Sequence, residues 1–263
     1  MIRGKQAHKH FQHETYGNIV LGAAPAFFDK RLFMNTGKAA FEHLEALGEQ
    51  AWLLHDQPDA GLWELRSRSR IHTSSSLMCW VACDRLGKIA AHLGLPKRAT
   101  YWKERADIIR AKILERTWSE KRQSFVESFD GSTLDASVLL MGEVGFLPPQ
   151  DPRFVATVET LSATLGRGPF MLRYEEADDF GVPEVGFNLC AFWRVDALTR
   201  IGRKDEARDL FEALLDARNP LGLMSEDTSF ATGEAWGNFP QTYSMAGIIN
   251  GAMRLSRPWE EEL

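Results

Sequence analysis

Several features that announce a function are missing from this 263-residue sequence. Cysteine is scarce: Cys79, Cys83 and Cys190 form an odd set with no metal-ligand spacing, so neither a disulfide framework nor a metal site is expected. A reducing, cytoplasmic setting fits that usage. No stretch reaches the roughly 18 apolar residues of a membrane span, and the opening MIRGKQAHKHFQHETYG has no apolar core or cleavage site of a signal peptide. Excess basic charge is absent too. Lys and Arg number 31 against 36 Asp and Glu, a net charge of −5 with the basic residues scattered, which argues against nucleic acid and anionic membranes as partners. Without a Gly-rich phosphate loop, a dinucleotide fingerprint or a serine elbow, no cofactor is implied.

What is present is a folded, helical chain. A hydrophobic fraction of 44% and a charged fraction of 25% are globular values. Phe41, Leu44, Leu47, Ala51 and Leu54 recur at helical spacing within 37–55, as do Trp102, Ala106, Ile109 and Ile113 within 97–116 and Ala207, Leu210, Phe211, Leu214 and Leu215 within 203–218. Pro96 suits the start of the second helix, and Asn219-Pro220 stops the third. Less regular patterns predict helices over 17–33, kinked at Pro25, and over 75–94, 133–143, 152–165, 185–201 and 241–256. With no sustained alternation of period two, the class is all-α, and strands are confined to hairpins at 124–129 and 170–174. No composition shift marks a linker, so a single domain is expected over 16–263, behind an N-terminal arm at 1–15. The cluster His8, His10 and His13 is read as part of that arm, exposed to solvent.

Two acidic loops between helices could carry chemistry. In Asp56-Gln57-Pro58-Asp59-Ala60-Gly61-Leu62-Trp63-Glu64-Leu65-Arg66, an indole stands beside a carboxyl group. A glutamate pressed against an indole loses hydration, which disfavours its charged form and suits a general acid. The alternative is a surface pair of Glu64 with Arg66 or Arg68. In Ser225-Glu226-Asp227-Thr228 the carboxylates adjoin polar groups and suit a base, or Glu226 serves as a helix cap or solvated turn. Two carboxyl groups with pKa values pushed apart are what glycosidic hydrolysis requires. Arg173, in the apolar Phe170–Tyr174 segment, could hold sugar hydroxyls or neutralise Glu175, Asp178 and Asp179. The segment Phe187–Trp193 reads as an apolar helix face facing the core.

The runs PDAGLWELR, LMCWVACDRL, LCAFWRVDAL, GLMSED and WGNFPQTYSMAGIINGAMRLS, in this order from about Tyr16 to Trp259, resemble the C-terminal part of glucoamylase- and trehalase-like glycoside hydrolases of family 15. The resemblance implies an (α/α)6-barrel fold and inverting, metal-free hydrolysis of terminal α-glucosidic bonds of maltose, isomaltose or trehalose type. It implies Glu64 as general acid and Glu226 as general base. Trp63, Arg173, Asp59 and Trp236 fall among sugar-contacting positions, with Asn238-Phe239-Pro240-Gln241 near the base loop. Departures are informative. About nine of the twelve barrel helices are expected, and the tryptophan, arginine and aspartate motif that grips the nonreducing glucose in the family does not occur. Ser76 stands where many relatives place a lysine. An incomplete barrel implies weak or no hydrolysis by the chain alone, and an apolar seam suited to self-association or to binding the missing N-terminal segment. The alternative function is a noncatalytic remnant that binds carbohydrate or serves in helical assembly.

Overall fold

A computed structural model describes residues 11–32, 36–65, 68–178 and 181–256. The chain divides into two compact units, Met1–Trp118 with Glu127–Gly131, and Ser119–Val126 with Ser132–Leu263.

In the first unit, α1 (Glu14–Ala23) and α2 (Pro25–Phe28) replace the single kinked helix expected over 17–33. The break falls at Pro25, which has no N–H to offer the preceding turn and takes the first position of α2. Helices α3 (Lys38–Leu54), α4 (Thr73–His92) and α5 (Pro96–Thr117) follow the apolar periodicity, and Pro96 opens α5 as expected. Helix α4 packs against α1, α3 and α5, and every residue from Thr73 to Cys83 is buried. A helix enclosed on all sides must satisfy its polar side chains internally. Accordingly, the Ser76 hydroxyl donates to the His55 carbonyl at 2.6 Å. Two glycines permit the close crossings: a Cβ on Gly17 would lie 2.0 Å from the Met78 carbonyl oxygen, and one on Gly48 2.2 Å from Leu86 Cδ1. Trp102 is buried beneath Gly48, with Nε1 donating to Glu45 at 2.7 Å.

Between α5 and the second unit's helices come the two-residue strands β1 (Trp118–Ser119) and β2 (Ser124–Phe125). The helix expected over 133–143 is reduced to a 3₁₀ turn, Ala136–Leu139, and α6 (Leu140–Glu143). Residues before Ala136 are extended instead. Asp135 bridges Tyr174, the Ala136 N–H donates to the Arg173 carbonyl at 2.8 Å, and the Asp135 carboxylate caps Ser137. Helix α7 (Pro152–Leu165) matches its expected span, and the hairpin of β3 (Gly166–Arg167) and β4 (Phe170–Met171) lies at the expected 170–174 region.

A three-stranded antiparallel sheet, β5 (Gly186–Phe187), β6 (Asp227–Thr228) and β7 (Ala235–Trp236), was not anticipated. Strands of two residues show no alternation to read. Because β5 claims Gly186 and Phe187, α8 (Asn188–Arg200) starts three residues later than expected. Helices α9 (Lys204–Leu215) and α10 (Thr242–Leu255) complete the unit. Helix α10 approaches closely through glycine: a Cβ on Gly247 would lie 2.3 Å from the Phe192 ring, and one on Gly251 2.6 Å from the Phe211 ring. All three cysteines are buried and free of disulfides, and burial pushes their thiols up, Cys83 to about 12. No helix among the described residues is long and apolar enough to cross a membrane.

Candidate active site

The first acidic loop leaves α3 and turns sharply. Gly61 has φ +67°, and a Cβ there would lie 2.7 Å from the His72 ring, so only glycine fits. The Leu65 N–H closes the loop onto the Ala60 carbonyl at 3.1 Å. Glu64 sits in the left-handed region at φ +53°, unusual for a residue with a side chain. Strain of this kind clusters where a side chain is aimed for use. Trp63 is half-buried and Glu64 exposed. The desolvated carboxyl expected from the Trp63-Glu64 pairing is therefore absent here, because the turn projects Glu64 outward. Among the described residues no ion pair forms to Glu64, and Arg66 lies outside them.

Asp59 is 2% exposed and serves the loop, contrary to the sugar contact expected of it. Its Oδ2 accepts the His13 backbone N–H and the Ser75 hydroxyl, both at 2.8 Å, while its backbone bridges Arg70. His13 is thus buried rather than part of a solvated arm, and Ala60 N–H bonds the Phe11 carbonyl at 2.9 Å. His8 and His10 lie outside the described residues. Glu14 stands 3.2 Å from the same Ser75 hydroxyl, and burial, partly offset by hydrogen bonds and reinforced by the Asp59 charge, raises its carboxyl. The loop's exit is tied by Glu127, which accepts from Arg70 Nη1 and pairs with His72 Nδ1, each at 2.9 Å. Burial opposes the charged form of Glu127, yet His72 and then Arg70 hold it down at about 2.

In the second unit the second acidic loop is built on the β5–β6–β7 sheet. Asp227 pairs with both Phe187 and Trp236 across its neighbours, which places the three side chains on one face. The regular pairing would set Glu226 opposite Gly237, but the Glu226 N–H bonds the Asn238 carbonyl at 2.9 Å. Gly237, at φ +74°, is the extra residue of a bulge, a device that re-aims neighbouring side chains. Glu226 Oε2 then accepts the Asn238 backbone N–H at 3.0 Å and its Nδ2 at 2.9 Å, whereas Oε1 has no hydrogen-bond partner among the described residues. Asp227 accepts Arg173 Nη2 at 3.1 and 3.3 Å. Burial raises the Asp227 carboxyl, with Arg173 opposing and Glu226 adding to the rise. Trp236 is 52% exposed.

Arg173 does not neutralise its sequence neighbours as one reading expected. Arg122 takes Glu175 through two bonds at 2.8 and 2.9 Å, the Tyr174 hydroxyl takes Asp178, and Asp179 lies outside the described residues. Asn188, read as part of an apolar helix face, proves central to the loop. Its Nδ2 donates to the Ser225 carbonyl at 2.9 Å, its Oδ1 accepts the Thr228 hydroxyl at 3.1 Å, and its N–H meets the Glu226 carbonyl at 3.0 Å. The only sequence sign was a lone amide in an apolar run.

The model of Glycosyl hydrolases family 15 matches residues 44–253. Trehalase of Mycolicibacterium smegmatis is 35% identical over 261 residues, covering 98% of this chain and 38% of that protein. Trehalase of Thermoplasma volcanium is 29% identical, covering 96% of this chain and 40% of that protein. The chain therefore spans about two-fifths of the length of these curated relatives. Among solved structures, a wild-type glycosidase superposes with a TM-score of 0.77 at 18% identity over 96% of this chain and 69% of its own. A bacterial glucoamylase complexed with acarbose gives 0.72 at 14% identity over 93% and 41%. The fold is thus the helical glucoamylase type expected from the sequence, and the chain belongs to glycosyl hydrolase family 15.

Proposed function

We propose that this chain provides the general acid and general base for inverting hydrolysis of the α-glucosidic bond of a trehalose-type disaccharide. The observation that carries the reading is the state of Glu226, with Oε2 anchored by two N–H groups of Asn238 and Oε1 open. A carboxylate held this way is oriented and still has lone pairs with which to take a proton from water. Trehalose is favoured over maltose and isomaltose because the curated relatives named above are trehalases.

Glu64 protonates the glycosidic oxygen as the bond to C1 breaks, and water deprotonated by Glu226 attacks C1 from the opposite face. Inversion requires carboxyl groups roughly 6.5 to 9.5 Å apart, leaving room for that water. Sugar bound around Glu64 and Trp63 would exclude solvent from the space in which the proton is transferred. Arg173 and Trp236 contact the sugar, and Asp59 acts by holding the loop that carries Trp63 and Glu64.

Proton NMR of trehalose hydrolysis tests the reading. Inversion releases α- and β-glucose in equal amounts at first, because only one of the two glucosyl centres is attacked. Both Glu64→Gln and Glu226→Gln should abolish release. Persisting activity in either variant, or α-glucose alone, rejects the assignment. Glucose binding with no turnover by the parent chain favours the noncatalytic, sugar-binding alternative.

A further inference from the structure

Arg173 is fastened at one corner and open at the others. Its Nη2 is engaged by both oxygens of Asp227, and its guanidinium carbon lies 4.7 Å from the centroid of the Phe187 ring. Nε and Nη1 have no hydrogen-bond partner among the described residues, although the side chain is 32% exposed and therefore reachable. Asp227 itself is 6% exposed, and both of its oxygens are occupied by the guanidinium. It orders a cation but has little surface of its own to offer a ligand.

The row in which it stands matters. Phe187, Asp227 and Trp236 are direct partners on β5, β6 and β7. The sheet face therefore lines up a buried ring, a buried carboxylate and the exposed Trp236 indole, with Arg173 over the Phe187 ring and bonded to Asp227. The exposed Trp236 indole suits the apolar face of a pyranose, and a guanidinium with free donors suits its hydroxyls. Preorganising that guanidinium removes an ordering cost that sugar binding would otherwise carry.

We infer that Asp227 is a positioning residue: it fixes Arg173 over Phe187 and so leaves Nε and Nη1 as donors to the hydroxyls of a glucosyl unit. This rests on the proposed function, which places Arg173 at the sugar.

Calorimetric titration of the full chain with glucose tests it. Asp227→Asn and Arg173→Ala should each weaken binding about tenfold, the scale of a charge-assisted hydrogen bond. The double variant should bind no more weakly than Arg173→Ala alone, since both changes remove one unit. Guanidinium ion should restore glucose binding to Arg173→Ala when Asp227 is present, and fail to do so in the double variant. A residue needed only for folding would not confer that rescue. Parent-like glucose binding by Asp227→Asn, additive losses, or rescue independent of Asp227 would overturn the inference while leaving the function intact. A parent chain that does not bind glucose overturns the function and this inference together.

Discussion

Asn238 grips Glu226 twice at the same oxygen, through its backbone N–H at 3.0 Å and its side-chain Nδ2 at 2.9 Å, and accepts the Glu226 N–H at 2.9 Å in return. The bulge at Gly237 makes this possible by advancing the opposite strand one residue. Half of the carboxylate is thereby fixed and half left open, as the base role proposed for Glu226 requires.

Asn238→Ala removes the side-chain donor and keeps the backbone one. Glucose release from trehalose should fall about tenfold to a hundredfold, equivalent to roughly 1.4 to 2.8 kcal/mol of barrier. The Michaelis constant should change less than kcat. A loss confined to the Michaelis constant would contradict the role given to Asn238.

Gly237→Ala should be worse than a generic glycine replacement. Its Cβ would lie 2.7 Å from Glu226 Oε2 and 3.1 Å from Asp227 Oδ2, on a backbone already at φ +74°. Gly202 has a similar φ of +90° with nothing within 4 Å of its Cβ. Urea unfolding should show about 1 to 2 kcal/mol lost at each from the left-handed backbone alone. Only Gly237→Ala should also abolish sugar binding, and equal effects at both positions would argue against a steric role.

Acid should loosen the first acidic loop. Glu127 has its folded pKa depressed to about 2 from a usual 4.5, so its contribution is complete above 4.5 and is lost as pH falls toward 2. The size is on the order of 3 kcal/mol for a shift of this extent. Thermal unfolding of the parent should drop through that window. Glu127→Gln should flatten the drop and lower stability at neutral pH, and an unchanged profile in that variant would refute the assignment.

Asn188→Ala strips the Ser225 carbonyl of one donor and the Thr228 hydroxyl of its acceptor, both in buried surroundings. Stability should fall by about 1 to 3 kcal/mol. Glucose affinity should fall with it, because the loop bearing Glu226 and Asp227 loses its side-chain ties to α8 and keeps only the Asn188 backbone N–H bond to the Glu226 carbonyl. Full stability in Asn188→Ala would show that the amide does not hold the loop.

The long helices were legible wherever an apolar stripe met a clear start or stop. Residues 38–54, 96–117 and 152–165 fall almost where periodicity and proline place them. Legibility failed at 133–143, where Asp135 and its neighbours were diverted into an extended bridge with Tyr174 and Arg173, a long-range pairing that no local pattern records. It failed again at the β5–β6–β7 sheet, whose strands are too short to show alternation. The candidate site divides the same way. Glu64, Trp63, Glu226, Arg173 and Trp236 were marked by residue type and by family likeness, while Asn238 was placed only near the base loop and Asn188 was taken for core.

Sequence by itself determined the helical class and the family, because periodicity and residue type are local properties of the chain. Tertiary structure alone decided what each polar group does. It buried Asp59, expected at a sugar-contacting position, within its own loop, turned Arg173 from its neighbours to Asp227, and left one oxygen of Glu226 free. The physical reason is that a charge's role depends on which partners and how much water surround it, and those are set by residues tens of positions away in the chain.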